Sequence, residues 1–243
     1  MRQAGESLMG IGAASMHEFQ PLTRRGFFLG AAAFGLAASG CTTVGTRVGI
    51  GLPPSRVSRA HYGIRKDGAF RLPPIDISAV NQRYLRQRVA YSTRERPGTV
   101  IVDPYNRFLY LVEDGERAMR YGVGVGRQGF LWAGRAYVGW KRAWPTWTPP
   151  PAMIAREPEL VKFKDGMEPG LRNPLGARAI YIYRDGRDTL YRLHGTNEPW
   201  SIGKAVSSGC IRLFNQDIID LHDRVKSGAR IVVLSKSQSS RIA

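Results

Sequence analysis

The chain has 243 residues, 43% hydrophobic and 23% charged, with a net charge of +17 and two cysteines. That composition supplies one ordinary globular core and excludes both a disordered chain and a disulfide-stapled scaffold. The four histidines (17, 61, 194, 222) are scattered, so the close pairs of a zinc site are missing and no metal is expected.

Residues 1–41 read as an export signal. Thr23-Arg24-Arg25-Gly26-Phe27-Phe28 precedes an apolar run, 29–38, that is too short to span a membrane comfortably. A twin-Arg pair in that position resembles a Tat signal. The run ends in Leu36-Ala37-Ala38-Ser39-Gly40-Cys41. Small residues before a Cys resemble a lipobox, which makes Cys41 the acylated mature N-terminus. Plain cleavage after a small residue is the other reading. The expected location is the periplasm, with the membrane held through a lipid on Cys41. Arg2, Arg24 and Arg25 are nearly cancelled by Glu6 and Glu18, so almost all the charge lies beyond residue 41. An anionic envelope surface is then a better partner than nucleic acid. The aromatic residues also cluster in one loop instead of interleaving with basic ones.

Residues 42–74 are rich in Gly, Pro, Ser and Arg and read as a linker. Residues 76–90 carry Ile77, Val80, Tyr84, Leu85 and Val89 near a helical period, which predicts a short basic lead-in helix within 42–97. Residues 98–234 read as one mainly β domain. Strands are expected at 99–103, 107–112, 117–125, 135–140 and 179–183, joined by Pro104-Tyr105-Asn106 and Glu113-Asp114-Gly115-Glu116 turns. The blurred alternation over 107–112 implies a strand covered on both faces. Gly122-Val123-Gly124-Val125-Gly126 lacks the dinucleotide spacing and reads as a strand end. Residues 140–153, with three Trp and four Pro, read as a rigid loop, and Trp147 within it is expected on a cleft wall. A helical turn or two is expected near 152–160. Asn173-Pro174-Leu175-Gly176 should hold its backbone tightly before the next strand.

The chemistry concentrates in 191–215. A strand over 189–193 should deliver His194 at its end, and Ser207-Ser208-Gly209-Cys210-Ile211-Arg212 follows at a distance of sixteen residues from histidine to cysteine. A thiol is a weak nucleophile until an imidazole takes its proton. Small residues before the sulfur let successive N–H groups face one spot, where an oxyanion can be held. Arg212 offers a planar fork for a carboxylate. A helix over 215–225 and a strand over 229–234 close the domain, and 235–243 reads as a C-terminal tail. Each residue also has an ordinary structural reading, as core thiol, core histidine or surface arginine; the cluster is what favours chemistry.

His194-Gly195-Thr196 followed by Ser207-Ser208-Gly209-Cys210-Ile211-Arg212 resembles the L,D-transpeptidase catalytic domain, the YkuD family. The resemblance covers roughly 98–234 and implies a β-sandwich or barrel-like domain with one or two short helices. It implies Cys210 as nucleophile and His194 as base. Ser207, Ser208 and Gly209 would shape the turn and oxyanion hole, Arg212 would contact the donor, and the Gly195 carbonyl would orient His194. Many members carry a second His two before the Cys, where this chain has Ser208, leaving His194 as the candidate base. The implied substrate is a peptidoglycan tetrapeptide stem, with a second stem or an envelope protein as acceptor and no cofactor. A related carboxypeptidase or amidase with the same Cys and His, and a non-catalytic wall-binding lipoprotein, are the alternatives.

Overall fold

The structure is a computed structural model that describes residues 56–126, 132–207 and 209–241. The expected export signal, with Cys41, and Ser208 lie outside the described residues. The described chain opens with α1 (Arg56–His61) and a hairpin of β1 (Arg65–Asp67) and β2 (Phe70–Leu72). There follow β3 (Gln87–Ala90), β4 (Val100–Asp103), β5 (Phe108–Glu113), β6 (Arg117–Gly122), β7 (Val125–Gly126) and β8 (Gly134–Ala143). After α2 (Pro151–Arg156) come β9 (Arg178–Arg184), β10 (Arg187–His194), β11 (Ala205–Ser207) and β12 (Ile211–Arg212). The chain closes with α3 (Asn215–Arg224), β13 (Arg230–Val233) and α4 (Lys236–Ser239).

One nine-stranded sheet, in the order β12-β10-β9-β8-β13-β4-β5-β6-β3, carries the fold, and β7 pairs with β11 beside it. The domain is mainly β, as its Val/Ile/Tyr-rich runs predict. Val100, Val102, Leu109, Leu111, Tyr121, Val138, Ile180, Ile182, Leu193 and Ile211 share one core with Ile218, Leu221 and Val225 of the α3 segment. Their opposite-facing neighbours Ile101, Phe108, Tyr110 and Val112 form a second core with Val89, Tyr91 and Leu234. The strands at 100–113 are therefore covered on both faces, which is why their alternation is blurred. At the first turn, Asp103 Oδ1 accepts hydrogen bonds from the Tyr105 and Asn106 N–H groups at 3.2 and 3.0 Å.

The segments flanking the central strands depart from their sequence reading. Residues 76–90 are not a helix: after one 3₁₀ turn at Gln82–Tyr84, the chain runs into β3, paired antiparallel with β6. Ile77, Val80, Tyr84 and Leu85 pack into one cluster with Tyr62 and Phe214 without forming the helix that their spacing suggests, and Val89 belongs to a second cluster with Tyr110. From residue 56 on, the supposed linker is part of the fold. Tyr62 and Leu72 are buried, the Asp67 carboxylate holds Arg178 at 2.7 and 2.8 Å, and it accepts from Trp144 Nε1 at 2.7 Å. The tail is docked as well: Ser239 is buried and donates to Asp103 Oδ1 at 2.7 Å.

A buried polar network fixes α3 against the N-terminal segment. Tyr62 donates to Asp217 at 2.9 Å, Tyr121 donates to Asp220 at 2.6 Å, and Arg86 lies 2.8 Å from Asp220. At the other end of α3, Lys141 Nζ donates to the carbonyls of His222 and Val225, both at 2.6 Å. A cation on the last carbonyls of a helix satisfies groups that have no partner within the helix.

Candidate active site

β10 delivers His194 at its end, as its sequence predicts. β12 lies parallel to it, with Leu193 level with Ile211 and His194 level with Arg212. Leu193 and Ile211 point into the core, so His194 and Arg212 point to the other face. β12 is held on its far side by Gly124, through two backbone hydrogen bonds with Arg212 of 2.9 Å. The glycine-rich run is thus a strand end that clamps the site, not a phosphate loop.

His194 is buried, and its Nδ1 lies 2.6 Å from the Gly195 carbonyl. A carbonyl only accepts, so Nδ1 carries the proton and Nε2 keeps its lone pair. Burial first, then the Arg212 guanidinium, pushes the imidazole down to about 4, while the carbonyls of Gly195 and Pro174 pull the other way. The ring is uncharged at neutral pH.

Gly195 owes its identity to crowding. A Cβ there would stand 2.2 Å from Asn215 Oδ1, and one on Gly176, whose φ is +62°, would meet the same atom at 2.2 Å. Asn215 Oδ1 accepts from the Ala177 N–H at 2.9 Å, and its Nδ2 donates to the Thr196 carbonyl at 2.8 Å. The first residue of α3 thereby pins the loops on both sides of His194. Asn173 does the same for the preceding loop, donating to the Pro145, Met167 and Glu168 carbonyls.

Cys210 is half-buried and not in a disulfide. Its Sγ lies 3.9 Å from the Leu190 carbonyl, and the Arg192 backbone N–H reaches it. Burial pushes the thiol up, opposed by that N–H and by the Arg192 and Arg212 charges. Gly209 precedes it with φ of +141°, a backbone few other residues adopt. The wall beside the sulfur is a bulge in β10, between Asp188 and Arg192, where Leu190 takes φ of +63°.

Arg212 Nη1 lies 2.5 Å from Glu198 Oε2. Glu198 sits in the crossover between the histidine and the cysteine, and its role is not legible from spacing; an acidic residue between two basic strands is the only signal. Ser207 ends β11. Trp147 pairs backbone to backbone with Met167 and packs its ring against Phe163. The stretch expected as loop from residue 140 is strand as far as Ala143. Among the described residues no cluster of His, Cys, Asp or Glu could hold a metal.

The family profile described as L,D-transpeptidase catalytic domain, YkuD, matches residues 97–233. The chain is similar to the probable L,D-transpeptidase ErfK/SrfK of Escherichia coli strain K12, with 33% identity over 161 residues, covering 64% of this chain and 50% of that protein. The probable L,D-transpeptidase YbiS of the same strain is 35% identical over 139 residues, covering 55% of this chain and 43% of YbiS. The chain spans about half the length of these relatives. Among solved structures, one from Brucella melitensis described as a probable carnitine operon oxidoreductase caia is 44% identical, covering 65% of this chain and 99% of that one, with a TM-score of 0.45. An L,D-transpeptidase from Mycobacterium smegmatis is 18% identical, covering 56% and 58%, with a TM-score of 0.40.

Proposed function

The chain belongs to the L,D-transpeptidase catalytic-domain family, YkuD, and from that premise we propose that it is an exported peptidoglycan transpeptidase with Cys210 as nucleophile and His194 as base. The observation that carries the reading is the orientation of His194: its Nδ1–H is fixed on the Gly195 carbonyl, and it shares a sheet face with Arg212. Nε2 is then the nitrogen that serves as the base toward Cys210.

The substrate is a tetrapeptide stem. As Sγ attacks the carbonyl of the third residue, His194 Nε2 takes the thiol proton. A neutral thiol and a neutral imidazole at rest mean that this transfer accompanies attack. The tetrahedral oxyanion is held by N–H groups of the turn formed by Ser207, Ser208, Gly209 and Cys210, each donor supplying about 3 kcal/mol. The imidazolium returns the proton to the departing D-Ala amine, leaving a thioester. An acceptor amine then attacks the thioester, losing its proton to His194, and the thiol is restored. Arg212 binds a donor carboxylate, exchanging it against the Glu198 contact it holds at rest. The energy of the donor bond drives the reaction, so the chemistry is complete with amino-acid side chains. Trp147, in its rigid loop, lines the cleft wall, and Cys41 anchors the enzyme to the membrane.

Incubation with tetrapeptide muropeptides and mass analysis of the products tests the reading. Crosslinked dimers with release of D-Ala are expected. Tripeptides alone would make it a carboxypeptidase, with water as the acceptor. Substrate left intact would leave a wall-binding protein.

A further inference from the structure

Beyond the thiol, the same sheet face carries an ordered aromatic row. The Trp140 and Tyr181 rings stack with centroids 3.6 Å apart and planes 12° off parallel. The Arg192 guanidinium stands 4.2 Å from the Tyr181 ring centre and is gripped by Asp188 through two bonds of 2.7 and 2.8 Å. Register puts these groups in line with the sulfur. Between the pairs Val138–Ile182 and Lys141–Ile180, two residues, Gly139 and Trp140, oppose Tyr181; Tyr181 is level with Arg192. Two residues back along β10 from His194, Arg192 reaches the Cys210 sulfur through its backbone N–H.

The bulge at Gly139 and Trp140 is a built feature. A Cβ on Gly139 would stand 2.3 Å from the Tyr183 ring, so glycine makes room for that ring beside the platform. Lys141 turns to the α3 side, which sends Trp140 to the face of Tyr181 and Arg192. Trp140 remains 40% exposed although one of its faces is covered by Tyr181. Stacking on Tyr181 holds the indole in place while much of it stays open to solvent.

We propose that Trp140, backed by Tyr181 and flanked by the Arg192–Asp188 pair, is a subsite for the sugar that carries the donor stem. This rests on the tetrapeptide-stem reading above. The apolar C–H face of a pyranose packs on an indole, and a paired guanidinium and carboxylate supply a donor and an acceptor for its hydroxyl and amide groups. The span agrees. Three strand-to-strand steps from Cys210 to Trp140 cover about 14 Å. Three extended residues from the scissile carbonyl to the N-terminus of the stem cover about 10 Å, and the sugar begins just beyond.

The test compares D-Ala release from a disaccharide-tetrapeptide and from the sugar-free tetrapeptide. The parent should favour the disaccharide donor by about ten-fold in kcat/KM, Trp140→Ala should bring that ratio to about one, and Trp140→Tyr should restore part of it. A ratio of one in the parent, or an unchanged ratio in Trp140→Ala, overturns the proposal. The ratio is insensitive to the amount of folded enzyme, and Trp140→Tyr covers a poorly folding alanine variant. If neither donor releases D-Ala, the reaction assigned above fails, and the subsite is then read by saturation-transfer NMR with the stem-free disaccharide. A signal in the parent that is lost in Trp140→Ala supports it; no signal in the parent refutes it.

Discussion

Gly195→Ala is expected to damage stability and chemistry together. The added Cβ would lie 2.2 Å from Asn215 Oδ1 and 3.0 Å from the Ala177 nitrogen. The first atom cannot simply swing aside, because Asn215 is held at 2.9 Å by the Ala177 N–H and at 2.8 Å by the Thr196 carbonyl. Overpacking costs about 1–3 kcal/mol, and giving up a hydrogen bond costs about 1 kcal/mol more. A combined loss of about 2–4 kcal/mol lowers Tm by roughly 5–15 °C in a domain of this size. The Gly195 carbonyl moves with the chain, His194 loses the 2.6 Å contact that fixes its ring, and kcat/KM falls by about 100-fold. Calorimetry and D-Ala release measure the two effects. Asn215→Ala removes the obstructing atom, so Gly195→Ala should cost about 1 kcal/mol less in that background. Parent-like Tm and turnover in Gly195→Ala, or costs that simply add, would refute the reasoning.

The thiol and the imidazole make two pH predictions. Burial raises Cys210 and lowers His194 to about 4, so iodoacetamide alkylation at Cys210, followed by peptide mapping, should climb with pH and show no plateau at neutrality or below. A low-pH plateau would mean a resting thiolate–imidazolium pair. A histidine that titrates at about 4 folded and 6.5 unfolded binds fewer protons in the folded state between those values, so its contribution to stability falls as pH drops from 6.5 toward 4. His194→Gln should flatten that part of the Tm-versus-pH curve; an unaltered slope would count against a buried neutral His194. Lys141→Met removes the ammonium that holds the His222 and Val225 carbonyls and should cost about 1–2 kcal/mol in urea unfolding. An unchanged midpoint would show that α3 does not need it.

The strands at 100–113 and 187–194 and the helix at 215–224 were legible because their patterns are local. So was the place of His194 at the end of a strand. The segment at 76–90 was not legible. Its apolar residues pack mostly into one cluster with Tyr62 and Phe214 along a non-helical chain, and β3 forms by pairing with β6. Asn215 and Glu198 were missed for a related reason. Asn215 acts on Gly176, Ala177, Gly195 and Thr196, from across a helix start, and only the folded register brings those backbones together. The Trp140 row depends on a bulge, whose position the alternation of residues does not reveal.

The central claim is that Cys210 carries the acyl group, and intact-mass measurement during turnover tests it most directly. With a tetrapeptide donor and no acceptor amine, the enzyme should gain the donor mass less D-Ala, and peptide mapping should place that mass on Cys210. Cys210→Ala should show neither the adduct nor D-Ala release. D-Ala release by Cys210→Ala, or an adduct on another residue, would contradict the account.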